Sequence, residues 1–422
     1  MNRSRVVVLG LLALGSTLAF ACSSSNGGGG FGSESSGGAS GGASNGGFGG
    51  SSGASGASGP CVPDPGNFEI PGNGCDDDAD GQTDNAAACD TGLAVTGGAE
   101  DFAKALGICQ KSDGTKWGLV SAEFTNGVGV NSAPNAKQHG ILTKFGSVLK
   151  PQDGSALGVL STGFAREYNG DTGTTSFNRG SLDGQEAVGM PMQVKTGVLG
   201  STPIPGTAPA GYPKNTSGCM PSNGSVFDVI NARLKIKVPK NAKGLSFDFN
   251  FLTSEWPKYL CTPYNDSFIA YLTSKKGTDN VSFDSAKNPV NVNLGFFDRC
   301  TAGVQTGCCA SDEAAQGLCK TGNTKTSTCP GGPGELAGTG FGRISKSGSA
   351  TDLDTQTYCK DNSTGGGGTG WLQTQAPVEA GETITLEFVI WDTGDPLLDS
   401  SVLLDHFTWQ PGEVTVSTGR PR

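Results

Sequence analysis

The sequence predicts an all-β protein, an antiparallel β-sandwich with a disulfide-rich loop insertion, carried behind a disordered Gly/Ser tether. Leu245, Phe247, Phe249 and Phe251 alternate with Ser246, Asp248 and Asn250, the period of two that puts apolar side chains on one face of a strand. The same alternation returns in Phe268, Ala270 and Leu272 and in Ile384, Leu386, Phe388 and Ile390, after which an acidic loop leads into a fourth strand at Val402 to Phe407. No long amphipathic helical pattern competes with these strands, and 69 of the 422 residues are Gly, a composition of short strands and long loops.

At the N-terminus, Arg3 and Arg5 precede an apolar run from Val6 to Phe20. That run is too short and interrupted for a permanent membrane span and reads as an export signal over residues 1–21. Two processing routes are open. Ala19 and Ala21 suit ordinary signal peptidase, whereas a small residue directly before Cys22 resembles a bacterial lipobox. The chain has 13 Cys, and assigning Cys22 to a lipid thioether leaves an even number to pair in an exported compartment. Cys22 is therefore the expected lipidation site, and the membrane the expected partner through that anchor. Ser23, rather than the Asp that resembles an inner-membrane retention signal, follows it, which favours the outer membrane or cell surface.

After Cys22, residues 22–60 are almost entirely Gly, Ser, Ala and Asn and cannot bury enough apolar surface to offset the entropy of ordering. They form a tether with a root-mean-square span of roughly 30 to 35 Å.

Residues 61–90 carry the sharpest chemical motif. Asp76, Asp78, Asp80 and Asp84 fall at positions 1, 3, 5 and 9 of a D-x-D-x-D-G loop, with Gly81 at the sixth place, where such loops turn sharply. Hard carboxylate oxygens at this spacing point to calcium. Position 12, which supplies a bidentate Glu in an EF-hand, is Ala87, and no helical pattern flanks the loop. The segment resembles instead the cysteine-flanked Asp-rich metal-binding repeats of secreted bacterial proteins and of thrombospondin type 3. Cys61, Cys75, Cys89 and Cys109 are expected to staple it. The competing reading is a solvated acidic linker.

Residues 91–412 form the body. AEDFAKALGI, from Ala99 to Ile108, places Phe102, Ala105 and Leu106 on one face and predicts a short helix. Short strands follow between Trp117 and Gly200, a Pro-rich connection runs from Pro203 to Pro213, and Val226 to Val238 begins the main sheet. After Phe251, the corner SEWP contains Pro257, which removes a ladder donor, and YNDSF opens the next strand. An insertion at 298–370 holds Cys300, Cys308, Cys309, Cys319, Cys329 and Cys359 without a C-x-x-C pair. Disulfides suit these better than zinc in an exported chain, and their connectivity is open. Residues 413–422 read as a tail.

The order of the Phe-rich strand, SEWP, YNDSF, DTGD and DSSVLLDHF resembles the choice-of-anchor L domain of bacterial surface proteins, over about Thr91 to Trp409. The resemblance implies location and architecture, and names neither ligand nor reaction. This chain has Trp256 where the family usually carries a second acid after Ser-Glu, so no role is carried over to that position.

A net charge of −10 argues against nucleic acid, which needs clustered Lys and Arg; cations are the better partners. The chain has only His139 and His406 and lacks a G-x-S-x-G elbow, an H-E-x-x-H pair or a phosphate-binding Gly loop, so the expectation is no enzyme. Function then reads as a non-enzymatic surface lipoprotein, a calcium-stabilised β-sandwich for adhesion to or recognition of a surface glycan or protein. The alternative is a secreted carbohydrate-active hydrolase using paired carboxylates such as Glu255 and Asp266. If the strands neighbour one another, Glu255, Asp266, Asp392, Asp395, Asp399 and Asp405 meet at one end of the sandwich, where unpaired carboxylates repel. Calcium bound there is one compensation, and backbone N–H caps in tight turns are the other.

Overall fold

The computed structural model describes residues 61–166 (except 86 and 147), 208–215, 221, 224–255, 262–284, 287–292, 335–336, 339, 341, 367–396 and 399–421, with the backbone of four short strands at 168–169, 174–175, 304–307 and 323–326. All fall in one compact unit, Gly50–Arg422. Cys22, the tether, Trp256, Pro257 and the six cysteines between Cys300 and Cys359 lie outside the described residues.

One helix, α1 (Ala99–Ala105), precedes the strands β1 (Gly118–Thr125), β2 (His139–Leu142), β3 (Leu157–Ser161), β4 (Tyr168–Asn169), β5 (Thr174–Thr175), β6 (Val226–Lys237), β7 (Gly244–Thr253), β8 (Ser267–Ser274), β9 (Gly277–Asn280), β10 (Val290–Asn291), β11 (Val304–Gly307), β12 (Asn323–Thr326), β13 (Gly367–Gly368), β14 (Leu372–Pro377), β15 (Thr383–Thr393), β16 (Ser400–Gln410) and β17 (Ser417–Gly419). The first main sheet runs β1-β6-β15-β8-β10 with β9 on β8; the second runs β17-β14-β7-β16-β3-β2 with β13 on β7. Their pairings are antiparallel throughout. The all-β sandwich is the observed fold. Separate hairpins pair β4 with β5 and β11 with β12. Residues 413–422, expected as a tail, supply β17, which closes the edge of β14.

The alternation read from sequence is the core. Ile230, Ala232, Leu234 and Ile236 of β6, Ile384, Leu386, Phe388 and Ile390 of β15, and Phe268 and Ala270 of β8 face Phe247, Phe249 and Phe251 of β7 and Val402 and Leu404 of β16 in one buried cluster. Phe388 meets Phe247 edge-on at 5.0 Å and stacks with Phe268 at 6.4 Å. The intervening residues are buried too. Val159, Leu252 and Leu403 pack with Phe145, Phe164 and Phe341 on the outer face of the second sheet. On the other outer face, Val229, Ile269, Val389 and Trp391 pack against Ala208 and Tyr212 of the Pro-rich connection.

α1 closes one side of the core. Phe102 is fully buried and meets Phe124 edge-on at 5.4 Å. A Cβ on Gly158 of β3 would stand 2.6 Å from the Phe102 ring, so only glycine lets helix and strand approach this closely. Gly107, at φ +94°, ends the helix in the left-handed conformation that suits a C-terminal glycine. Residues 61–90 also belong to this body. Phe68 enters the core cluster, Asn241 bonds both backbone groups of Phe68 at 2.9 and 2.8 Å, and Lys240 pairs with Asp64. Disulfides join Cys61 to Cys75 and Cys89 to Cys109, the four cysteines expected to staple the segment.

Candidate metal centres

The D-x-D-x-D-G loop is built on local hydrogen bonds. Asp76 accepts from the Asp80 and Gly81 N–H groups at 3.1 and 3.0 Å, and Asp78 accepts from the Asp80 N–H at 3.2 Å. Gly81 has φ +92°, which explains the glycine at the sixth place. These bonds wrap the backbone around the first two acids. Glu69 joins them, and the oxygens of Glu69, Asp76 and Asp78 come within 4.8 Å of one another. Glu69 also accepts from the backbone of Asp77 (3.0 Å) and Asp84 (2.7 Å), which fixes it over the loop.

Burial is the first cause raising the Asp78 carboxyl above its ordinary value, with the charges of Asp80 and Asp76 adding to it. Three hard anionic oxygens that repel one another at this separation fit a divalent cation such as calcium, which takes 6–8 oxygen ligands, carbonyls and waters included. Asp80 and Asp84 stay outside the group. Asp80 accepts from the Gln82 N–H (2.8 Å) and Asn85 Nδ2 (2.9 Å), and Asp84 accepts from the Asn73 (3.0 Å) and Gly74 (3.1 Å) N–H groups. Glu69 is the member that spacing missed, because the Pro71 to Gly74 turn and the Cys61–Cys75 bridge bring it back over the loop.

A second acidic group closes one end of the sandwich. Glu255 follows β7, Asp266 precedes β8, Asp392 ends β15 and Asp399 precedes β16; all four are buried, and Asp395 between them is half-buried. Asp266 accepts from the Thr393 N–H (3.1 Å) and the Ser400 hydroxyl (2.6 Å), and its own N–H donates to Glu255 (3.1 Å). Burial first, then neighbouring carboxylates, holds Glu255 and Asp392 well above the usual carboxylate range. Burial also raises Asp266, against the opposing hydrogen bonds from Ser400 and Thr393. Asp228 of β6, which the sequence reading left out, is buried in the same group and acts on Asp392.

Asp405 does not join them. It lies five residues beyond Ser400 in β16, about 17 Å along the strand, at an irregularity between Asp405 and Thr408. There it accepts from the backbone N–H groups of Gln152, Asp153 and His406. The physical reason is strand direction: β16 carries Asp405 away from the loop it leaves. Beside it, His406 at φ +52° pairs through Nδ1 with Asp248 at 3.0 Å. His139 stacks on Phe124 at 3.8 Å, and burial lowers it to about 4.

Scans against protein-family models, curated proteins and solved structures return no match for this chain.

Proposed function

We propose that the chain is a non-enzymatic, lipid-anchored protein of the bacterial envelope, similar to choice-of-anchor L surface proteins, in which a calcium-bearing β-sandwich recognises a surface glycan or protein. The observation that carries this reading is the convergence of Glu69, Asp76 and Asp78 on a loop bridged by Cys61–Cys75 and docked to the sandwich through Phe68 and Asn241. Calcium there would lock the loop to the body, as suits a compartment where calcium is abundant and thiols are oxidised. Cys22 would supply the anchor, and the tether would hold the body clear of the lipid.

The paired carboxylates that would serve a hydrolase offer less. Glu255 and Asp266 are buried and bonded to backbone, whereas glycoside hydrolysis needs both acids facing a sugar. The test is binding of the purified protein to glycan arrays and to intact envelope fractions, in millimolar calcium and in chelator. Calcium-dependent retention without release of sugar supports the proposal; sugar release abolished by Glu255→Gln overturns it.

A further inference from the structure

The inner faces of the central strands change character at one level. In the first sheet the apolar series of β6 ends in Asp228, that of β15 in Asp392 and that of β8 in Asp266, each two residues past the last core side chain, Ile230, Ile390 and Phe268. In the second sheet β7 passes from Phe251 to Thr253, β16 from Val402 to Ser400, and β3 from Leu160 to Thr162. One sheet thus presents three carboxylates and the other three hydroxyls, all buried. Asp399 enters from the loop before β16, against Gly163. A Cβ on Gly163 would stand 2.0 Å from its Oδ2, so glycine makes room for the carboxylate.

Asp392 is the member that local bonding does not explain. It is fully buried, and neither carboxylate oxygen has a hydrogen bond of proper geometry among the described residues; the Thr162 hydroxyl is only near enough to favour the ionised form. Asp392 lies two residues past Ile390, on the inner face of β15 opposite Trp391, and the charges of Asp266, Asp399 and Asp228 act on it. The buried Asn265 Oδ1, beside Asp266, also has no donor among the described residues. Buried oxygens of this kind demand a partner. Asp228 and Asp266 sit on the strands flanking Asp392, about 10 Å apart by strand spacing. The acids therefore form a row rather than the tight triad of the loop, and an ion at Asp392 would take a neighbouring acid and complete its shell with neutral oxygens.

We infer that this end of the sandwich binds a hard divalent cation of the calcium class, with Asp392 as its central ligand and Asp266 and the facing hydroxyls beside it. The site is separate from the Glu69 loop and does not depend on it. Its occupant would tie the starts of β8 and β16 to the ends of β7 and β15, where the two sheets meet. The competing occupant is a proton shared between Asp266 and Asp392, whose charges act on each other.

The test is the calcium content of the full chain after dialysis, with thermal unfolding in calcium and in chelator, for wild type, Asp392→Asn and Glu69→Gln. Asp392→Asn, nearly isosteric, should carry one calcium fewer than wild type and lose part of the calcium-dependent rise in midpoint. Glu69→Gln should leave that ion in place. If Asp392→Asn does not fold, Asp266→Asn replaces it, with the same expected loss. Wild-type calcium content in the Asp392→Asn chain, or a midpoint raised equally in calcium and chelator, means that a proton holds the group and overturns the inference. Loss of calcium in Asp392→Asn but not in Glu69→Gln supports this site and leaves the weaker loop site to its own titration.

Discussion

Replacing Asp405 by Asn should flatten the pH dependence of stability at the irregularity of β16, so that the variant is the less stable chain in acid and the more stable one in alkali. Asp405 is 1% exposed, and burial pushes its carboxyl up to about 7 against three backbone N–H donors that favour the charge. A raised pKa means that the folded chain binds the proton more tightly than the unfolded one, so stability falls as pH rises through the interval. From the ordinary 3.8 to about 7 is about three pH units, which at 1.36 kcal/mol each is at most about 4 kcal/mol. His406 works in the same direction. Its pKa is raised by the hydrogen bond to Asp248, so its contribution is full below the ordinary histidine value and fades as pH rises past the folded one.

The Asn variant keeps one acceptor for Gln152 and Asp153 but turns an amide toward the His406 N–H, costing about 1 kcal/mol. The variant should therefore be less stable than wild type near pH 4 and more stable near pH 8. Urea unfolding from pH 4 to 8, in chelator so that bound cations do not contribute, measures the difference. Glu255, Asp266 and Asp392 titrate alike in both chains and cancel. Parallel curves across the whole range would refute the reasoning.

Phe388→Ala removes a ring packed between Phe247 and Phe268 and should cost about 3–5 kcal/mol, read from denaturant midpoints at unchanged slope. Gly158→Ala drives a Cβ against Phe102 and Leu106; overpacking of this kind costs about 1–3 kcal/mol, and the double variant with Phe102→Ala should cost less than the sum of the two single variants. On the lipid anchor proposed above, Cys22→Ser should release the protein from the membrane fraction while leaving its thermal midpoint unchanged, since Cys22 is remote in sequence from the body.

Much of the fold was legible because period-two alternation survives wherever one face is buried. The strands at Leu245, Ser267, Ile384 and Val402 stand as read. The acids meeting at one end were legible for the same reason, since Asp266 and Asp392 continue the apolar phase by one step. Asp228 carries that signal too, one step beyond the series Ile236, Leu234, Ala232, Ile230. Glu69 was hidden because a turn and a disulfide, rather than loop spacing, bring it to Asp76. Asp405 is near Asp399 in sequence and far from it in space, because β16 runs away from its own loop. The placement of β14 between β17 and β7 depends on long-range pairing, and Ser417–Gly419 is too short and too polar to announce a strand.

The most direct measurement of the central claim is calorimetric titration of calcium into the full chain, its disulfides intact, beside the Glu69→Gln and Asp78→Ala variants. Binding with a dissociation constant of roughly 10⁻⁴ to 10⁻³ M, the range of extracellular calcium modules, weakened in both variants, is the predicted result. No heat at millimolar calcium, or an isotherm that neither substitution changes, would contradict it and leave Asp76 to Asp84 as a hydrogen-bonded acidic loop.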